Sequence, residues 1–180
     1  MPEPAVTRTL TIIAQDPSVC VGGGILRAKV QVPFELLDPG PRGYRVQVVD
    51  YDPVQGVLYE GAKISERRDP FSQVNYAALL STPAFHAQNA YAIVMQTLAR
   101  FEAALGRRVS WGFNSHQINV VPHAFADKNA YYSEEDLGLL FGYFAGYDGT
   151  TVYTCLSHYI VAHETTHALV DGLKDSYTLP

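Results

Sequence analysis

His163, Glu164 and His167 stand in the order His-Glu-Thr-Thr-His near the end of the 180-residue sequence, and their spacing has a geometric meaning. With 3.6 residues per helical turn, side chains four apart rise one above the other on the same face, so both imidazoles reach one tetrahedral zinc ion at roughly 2.0–2.1 Å. Glu164 stands about 100° round the helix from His163 and about 60° from His167, so it flanks such an ion without being forced to bind it. Zinc on nitrogen ligands lowers the pKa of its coordinated water from about 15.7 toward roughly 7, and a carboxylate in reach takes the proton as that water attacks a carbonyl. The chemistry on offer is hydrolysis of a peptide bond, with His163 and His167 as metal ligands and Glu164 as general base. The alternative is the solvated face of an amphipathic helix. The apolar flanks Ile160-Val161-Ala162 and Ala168-Leu169-Val170 favour a helix packed in a core, where polar side chains need partners and a metal supplies one.

From Val161 to Asp171 the sequence resembles the active-site helix of thermolysin-like zinc metallopeptidases, the gluzincins. An aspartate eight residues after the first histidine is typical of that family, and Asp171 occupies the place. On a straight helix it lies roughly 12 Å from His163 and one turn beyond His167, which suits a hydrogen bond that orients a ligand better than a bond to the metal. Its ordinary alternative is an aspartate near a helix end. Asn129-Ala130-Tyr131-Tyr132 is similar to the family's edge strand, and the resemblance implies that Asn129 and Ala130 hold an extended peptide by β-augmentation; an aromatic core strand is the other reading. Leu140-Phe141-Gly142-Tyr143 resembles the strand that returns before the zinc helix. The resemblance spans about residues 83–173 and implies zinc as cofactor and a peptide or protein as substrate.

The pattern also breaks. The family draws its third zinc ligand from a glutamate about twenty residues beyond the second histidine, whereas thirteen residues follow His167 and none is Glu. The leading expectation is a fragment whose missing C-terminal helical lobe completes the site. A second is a two-histidine protein that recruits His116 or His123. A third, from another functional class, is a non-catalytic binding or interaction domain with a vestigial HExxH helix. The family's transition-state tyrosine also follows the zinc helix, and Tyr177 stands one residue out of step with its place, which makes it a catalytic candidate by resemblance only.

The elements that must position these residues are legible from periodicity. Ala28, Val30 and Val32 alternate with charged or amide neighbours, as do Tyr44, Val46 and Val48, and Gly22-Gly23-Gly24, Asp38-Pro39-Gly40-Pro41 and Asp52-Pro53 punctuate them, so the first 60 residues read as a β meander. Thr82 in cap position, Pro83 at the first helical position, apolar residues at steps of three and four through Leu105, and Gly106 as the stop predict a helix of about 23 residues. Residues 109–113, 117–121, 129–132 and 139–144 read as strands, and Ser157 to about Leu173 as the final helix. The expected fold is α+β: an N-terminal β-rich region, residues 1–70, then a lobe of residues 71–180 in which a long helix packs on a mixed or antiparallel sheet and the HExxH helix follows.

Five of the six histidines and only two of the 13 basic residues lie beyond residue 110, which concentrates the chemistry there. The net charge of −5 provides no positive field for phosphates, so nucleic acid is not an expected partner. No apolar run approaches the roughly 20 residues of a membrane span, and no secretory leader pattern follows Met1, so a soluble, cytoplasmic protein is expected. Cys20 and Cys155 form no metal-binding motif, and a single bridge between them is open.

Overall fold

The computed structural model describes residues 6–66, 68–113 and 115–174. In chain order the elements are β1 (Thr7–Ile13), β2 (Cys20–Val21), β3 (Gly24–Ile25), β4 (Arg27–Pro33), β5 (Val46–Val48), β6 (Tyr51–Asp52), β7 (Val57–Leu58), α1 (Tyr76–Leu80), α2 (Pro83–Leu105), β8 (Ile118–Phe125), β9 (Ala130–Ser133), β10 (Gly138–Ala145), β11 (Thr151–Tyr153), a single 3-10 turn (Thr154–Leu156) and α3 (His158–Leu173). The fold is α+β, as the two periodicities require.

β1 and β4 form an antiparallel ribbon in full register, Thr7 opposite Pro33 through Ile13 opposite Arg27. The meander expectation fails after β4. Val46–Val48 leaves the ribbon and pairs parallel with β8, Val46 opposite Ile118 and Val48 opposite Val120. The larger sheet therefore runs β11-β10-β8-β5, with β9 also on β10 as an edge strand. The physical reason is burial: Val46 and Val48 are enclosed, and even Arg45 between the chain's apolar positions is buried, its guanidinium paired with Glu102 at 2.6 Å and donating to the His116 carbonyl at 2.9 Å. A residue-by-residue alternation cannot announce such a partner 57 residues away.

α2 is the spine. Its limits match the predicted ones, and Gly106 ends it in the left-handed conformation, φ 65°, that a residue with a Cβ rarely adopts. Thr82 makes no side-chain capping bond and instead donates its hydroxyl to the Ala78 carbonyl, while Pro83 begins the helix. From Phe85 to Met95 every side chain of α2 is buried. Three of those are polar: Asn89 accepts from the Ile13 amide at 2.9 Å and donates to the Cys155 carbonyl at 2.9 Å, Gln88 donates to the Thr11 carbonyl while its Oε1 finds no hydrogen-bond partner among the described residues, and His86 Nδ1 lies 2.8 Å from His123 Nε2. α2 thereby fastens the β1–β4 ribbon to the 3-10 turn that precedes α3. One apolar cluster, including Leu10, Ile12, Ile93, Ile118, Phe141 and Leu169, runs through both halves of the chain.

Residues 109–113 do not form the expected strand. Trp111 is fully buried and its indole N–H donates to the Arg45 carbonyl, while the Gly112 amide donates to the Ala168 carbonyl of α3. The segment wraps the far half of α3 so closely that a Cβ on Gly112 would lie 2.1 Å from Asp171 Oδ2, and one on Gly172 the same distance from the Ser110 carbonyl. Backbone contact with a helix, rather than with a sheet, is what shapes it. Among the described residues no helix is long and apolar enough to cross a membrane. Cys20 is exposed, Cys155 is buried, and both are free thiols, so the bridge left open by the sequence is not made.

Candidate functional site

α3 buries Val161, Thr165, Ala168 and Leu169 against α2 and the 3-10 turn, and this single choice of face turns His163 and His167 outward. The helix is packed in the core as expected, yet its two histidines stand at the surface: His163 is exposed and His167 half-buried. Their Nε2 atoms are 3.0 Å apart, with ring centroids 4.7 Å apart at 80°. Two nitrogens at roughly 2.0–2.1 Å from one tetrahedral ion lie about 3.3 Å from each other, so the pair needs a shift of only a few tenths of an ångström to share a metal. Tyr159 packs beside His163, ring centroids 5.7 Å apart.

Glu164 lies beside the pair, half-buried, and its Oε2 accepts the backbone N–H of Tyr132 at 3.2 Å. Burial pushes its carboxyl above the ordinary value, against the opposing pull of His163 and His167. A carboxylate whose proton affinity is raised is better matched to taking a proton near neutral pH. Its partner strand, β9, pairs with β10 through Tyr131 opposite Leu140 and Ser133 opposite Gly138, and the Asn129 carbonyl accepts from Gly142 at 3.0 Å. By the alternation of an antiparallel ladder, Ala130 and Tyr132 then turn their backbone groups away from β10, toward α3. Asn129 is exposed, and its side-chain oxygen accepts the Ala130 N–H at 2.9 Å, so it caps the edge of its own strand.

Tyr132 is the residue that reading the sequence did not single out. Its backbone N–H holds Glu164, and its hydroxyl, two turns farther along α3, donates to Asp171 Oδ2 at 3.0 Å. Asp171 is buried at 4% exposure and sits against Gly112. Burial, together with that bond, keeps the Tyr132 phenol protonated far above its usual range. One residue of the edge strand thus fixes both carboxylates of the helix. The signal was present in the aromatic pair Tyr131-Tyr132, but only the tertiary fold shows which of the two faces α3.

The remaining expectations divide. His116 is exposed and stacks on Tyr44, ring centroids 4.7 Å apart. His123 is 1% exposed with both ring nitrogens engaged, Nδ1 with Asp50 Oδ1 at 2.7 Å and Nε2 with His86 Nδ1 at 2.8 Å. Neither therefore serves the pair on α3; a buried core position claimed His123. Tyr177 lies outside the described residues. Among the described residues the His, Cys, Asp and Glu side chains that bring three ligand atoms within 4.8 Å of one another are His86, His123 and Cys155, a group capable of holding a metal ion. Comparison of the chain with models of protein families and with curated proteins gives no match. The functional reading accordingly rests on the side chains themselves.

Proposed function

We propose that the protein hydrolyses peptide bonds with a zinc ion held by His163 and His167 and with Glu164 as general base. The observation that carries the reading is the joint placement of the two Nε2 atoms 3.0 Å apart at the surface and of the Glu164 carboxylate, which feels both histidines and is held by the backbone edge of β9. The two imidazoles fit the ion; a third protein ligand would come from outside the described residues, as the resemblance to gluzincins implies. When bound, zinc supplies an acidified water and a Lewis acid for the scissile carbonyl.

The chain's own residues supply the rest. Glu164 keeps Oε2 on the Tyr132 N–H, which leaves Oε1 to take the proton of the attacking water and pass it to the departing amine. The Tyr132 amide and hydroxyl fix the strand against the helix, so the base and the strand edge keep one geometry through the reaction. An extended peptide would lie along the outward edge of β9, with its backbone meeting Ala130 beside the cap formed by Asn129.

Zinc content and cleavage of a fluorogenic peptide library, measured on the same preparation of the chain, test the proposal. Expected is zinc-dependent cleavage that E164Q abolishes while zinc stays bound and that H163A or H167A abolishes together with the one equivalent of zinc that these two side chains hold. Cleavage unchanged in E164Q, or a chain that neither cleaves nor loses zinc on these histidine changes, would overturn it.

A further inference from the structure

The second group of histidines presents a problem of proton accounting. His86 Nε2 lies 3.0 Å from the Leu80 carbonyl, and His123 Nδ1 lies 2.7 Å from the Asp50 carboxylate. Both partners only accept, so both of those nitrogens carry the hydrogen. In two neutral imidazoles the remaining nitrogens, His86 Nδ1 and His123 Nε2, would then present lone pairs to each other across 2.8 Å. Both side chains are 1% exposed, so no bulk water relieves the contact. A proton or a metal cation between the two nitrogens resolves the contact, and the buried Asp50 stands on the far side of His123 to balance either.

We propose that His86 Nδ1, His123 Nε2 and Cys155 Sγ form a buried site for one zinc-type divalent cation, separate from His163 and His167. The three ligand atoms already lie within 4.8 Å of one another. Two nitrogens and a sulfur are a donor set for a borderline-soft ion, with bonds of roughly 2.0–2.1 Å to nitrogen and about 2.3 Å to sulfur. The imidazole nitrogens need to part by about half an ångström to accept it. Asp50 and Leu80 supply the partners that metal-binding histidines use to fix ring orientation, one a carboxylate and one a backbone carbonyl. On binding, the Cys155 thiol loses its proton, as does the imidazole pair if it holds one, and these protons leave to solvent. A surface pocket of about 500 Å³, with Asp50 and Tyr59 in its wall, brings solvent to the edge of the site. Tyr59 packs on His123, ring centroids 5.1 Å apart, and is the side chain that would move to admit the ion.

The ligands come from three different elements: α2, β8 and the 3-10 turn before α3. An ion there would tie the spine of the fold to the sheet and to the start of the HExxH helix, so its role is to hold the structure rather than to turn over substrate.

The test titrates Co2+ into the H163A/H167A double variant, which removes the surface pair and keeps this site independent of the hydrolysis proposal. Expected are one Co2+ per chain, tetrahedral ligand-field bands and a thiolate-to-cobalt charge-transfer band. C20S, which deletes the exposed thiol, should leave that band unchanged, and C155S should remove it. A double variant that retains no Co2+ after dialysis, or a thiolate band that disappears with Cys20, would overturn the proposal even if C155S fails to fold.

Discussion

Two histidine pairs lie in this protein with their facing nitrogens almost equally close, 3.0 Å for His163 and His167 and 2.8 Å for His86 and His123, and their surroundings are opposite. The first pair stands on one face of α3 in contact with solvent, where water can take up or supply protons at little cost. The second is enclosed by α2, β8 and three aromatic rings, with ring centroids of Tyr59, Tyr143 and Tyr153 within 6.2 Å of His123. There each hydrogen must be assigned to a partner, because an unmatched polar atom in the interior costs about 1–3 kcal/mol. The same residue type therefore meets two environments: near solvent water can replace its partners, and inside each ring nitrogen faces a fixed neighbouring group.

That contrast can be broken or sharpened by substitution. The largest effect is expected from E164Q, which should lower peptide hydrolysis by about 10²–10⁴-fold while thermal stability and zinc content stay near wild type, as steady-state kinetics and metal analysis would show. Next, D50A should cost about 3 kcal/mol in denaturant unfolding, because it strips the buried His123 Nδ1–H of its acceptor; H163A/H167A should change stability by less than about 0.5 kcal/mol in metal-free protein. If the two variants cost the same, the distinction between the pairs is wrong. Y132F removes the hydroxyl that donates to buried Asp171 and should cost about 1–2 kcal/mol, with kcat reduced more than KM is raised, since the strand still offers its backbone amide to Glu164.

The smallest effect concerns acid. Burial, with Arg100 nearby, lowers the pKa of His158 from the ordinary 6.5. The unfolded chain therefore binds this proton first as pH falls below about 6.5, and stability declines with acidification through the window between the two values. Unfolding midpoints measured across that window should fall less steeply for H158Q than for wild type. Equal slopes would show that His158 keeps its ordinary proton affinity in the fold.

Helix α2 and the HExxH helix were legible because their information is local. Pro83 at the start, apolar steps of three and four, and Gly106 at the end are all carried within one stretch of chain, and His163 and His167 owe their alignment to 3.6 residues per turn. β9 and β10 were legible for a similar reason, as short aromatic and apolar runs. The failures share a cause as well. Residues 109–113 have strand-like composition, but Gly112 and Ser110 pack backbone-first on α3, an interaction that no local pattern encodes. Val46–Val48 shows the right alternation, yet its partner is β8 in parallel rather than the preceding strand.

The sequence by itself determined which side chains share a helical face, since i, i+4 spacing brings His163 over His167 whatever the helix packs against. Only the tertiary structure decided which face of α3 meets the core, that Tyr132 rather than Tyr131 holds Glu164 and Asp171, and that His86, His123 and Cys155 meet at all. Those three residues are separated by 37 and 32 positions, and their meeting depends on how α2, β8 and the 3-10 turn close around one core. Helical periodicity is a property of the backbone and acts over four residues; convergence is a property of packing and has no period to read.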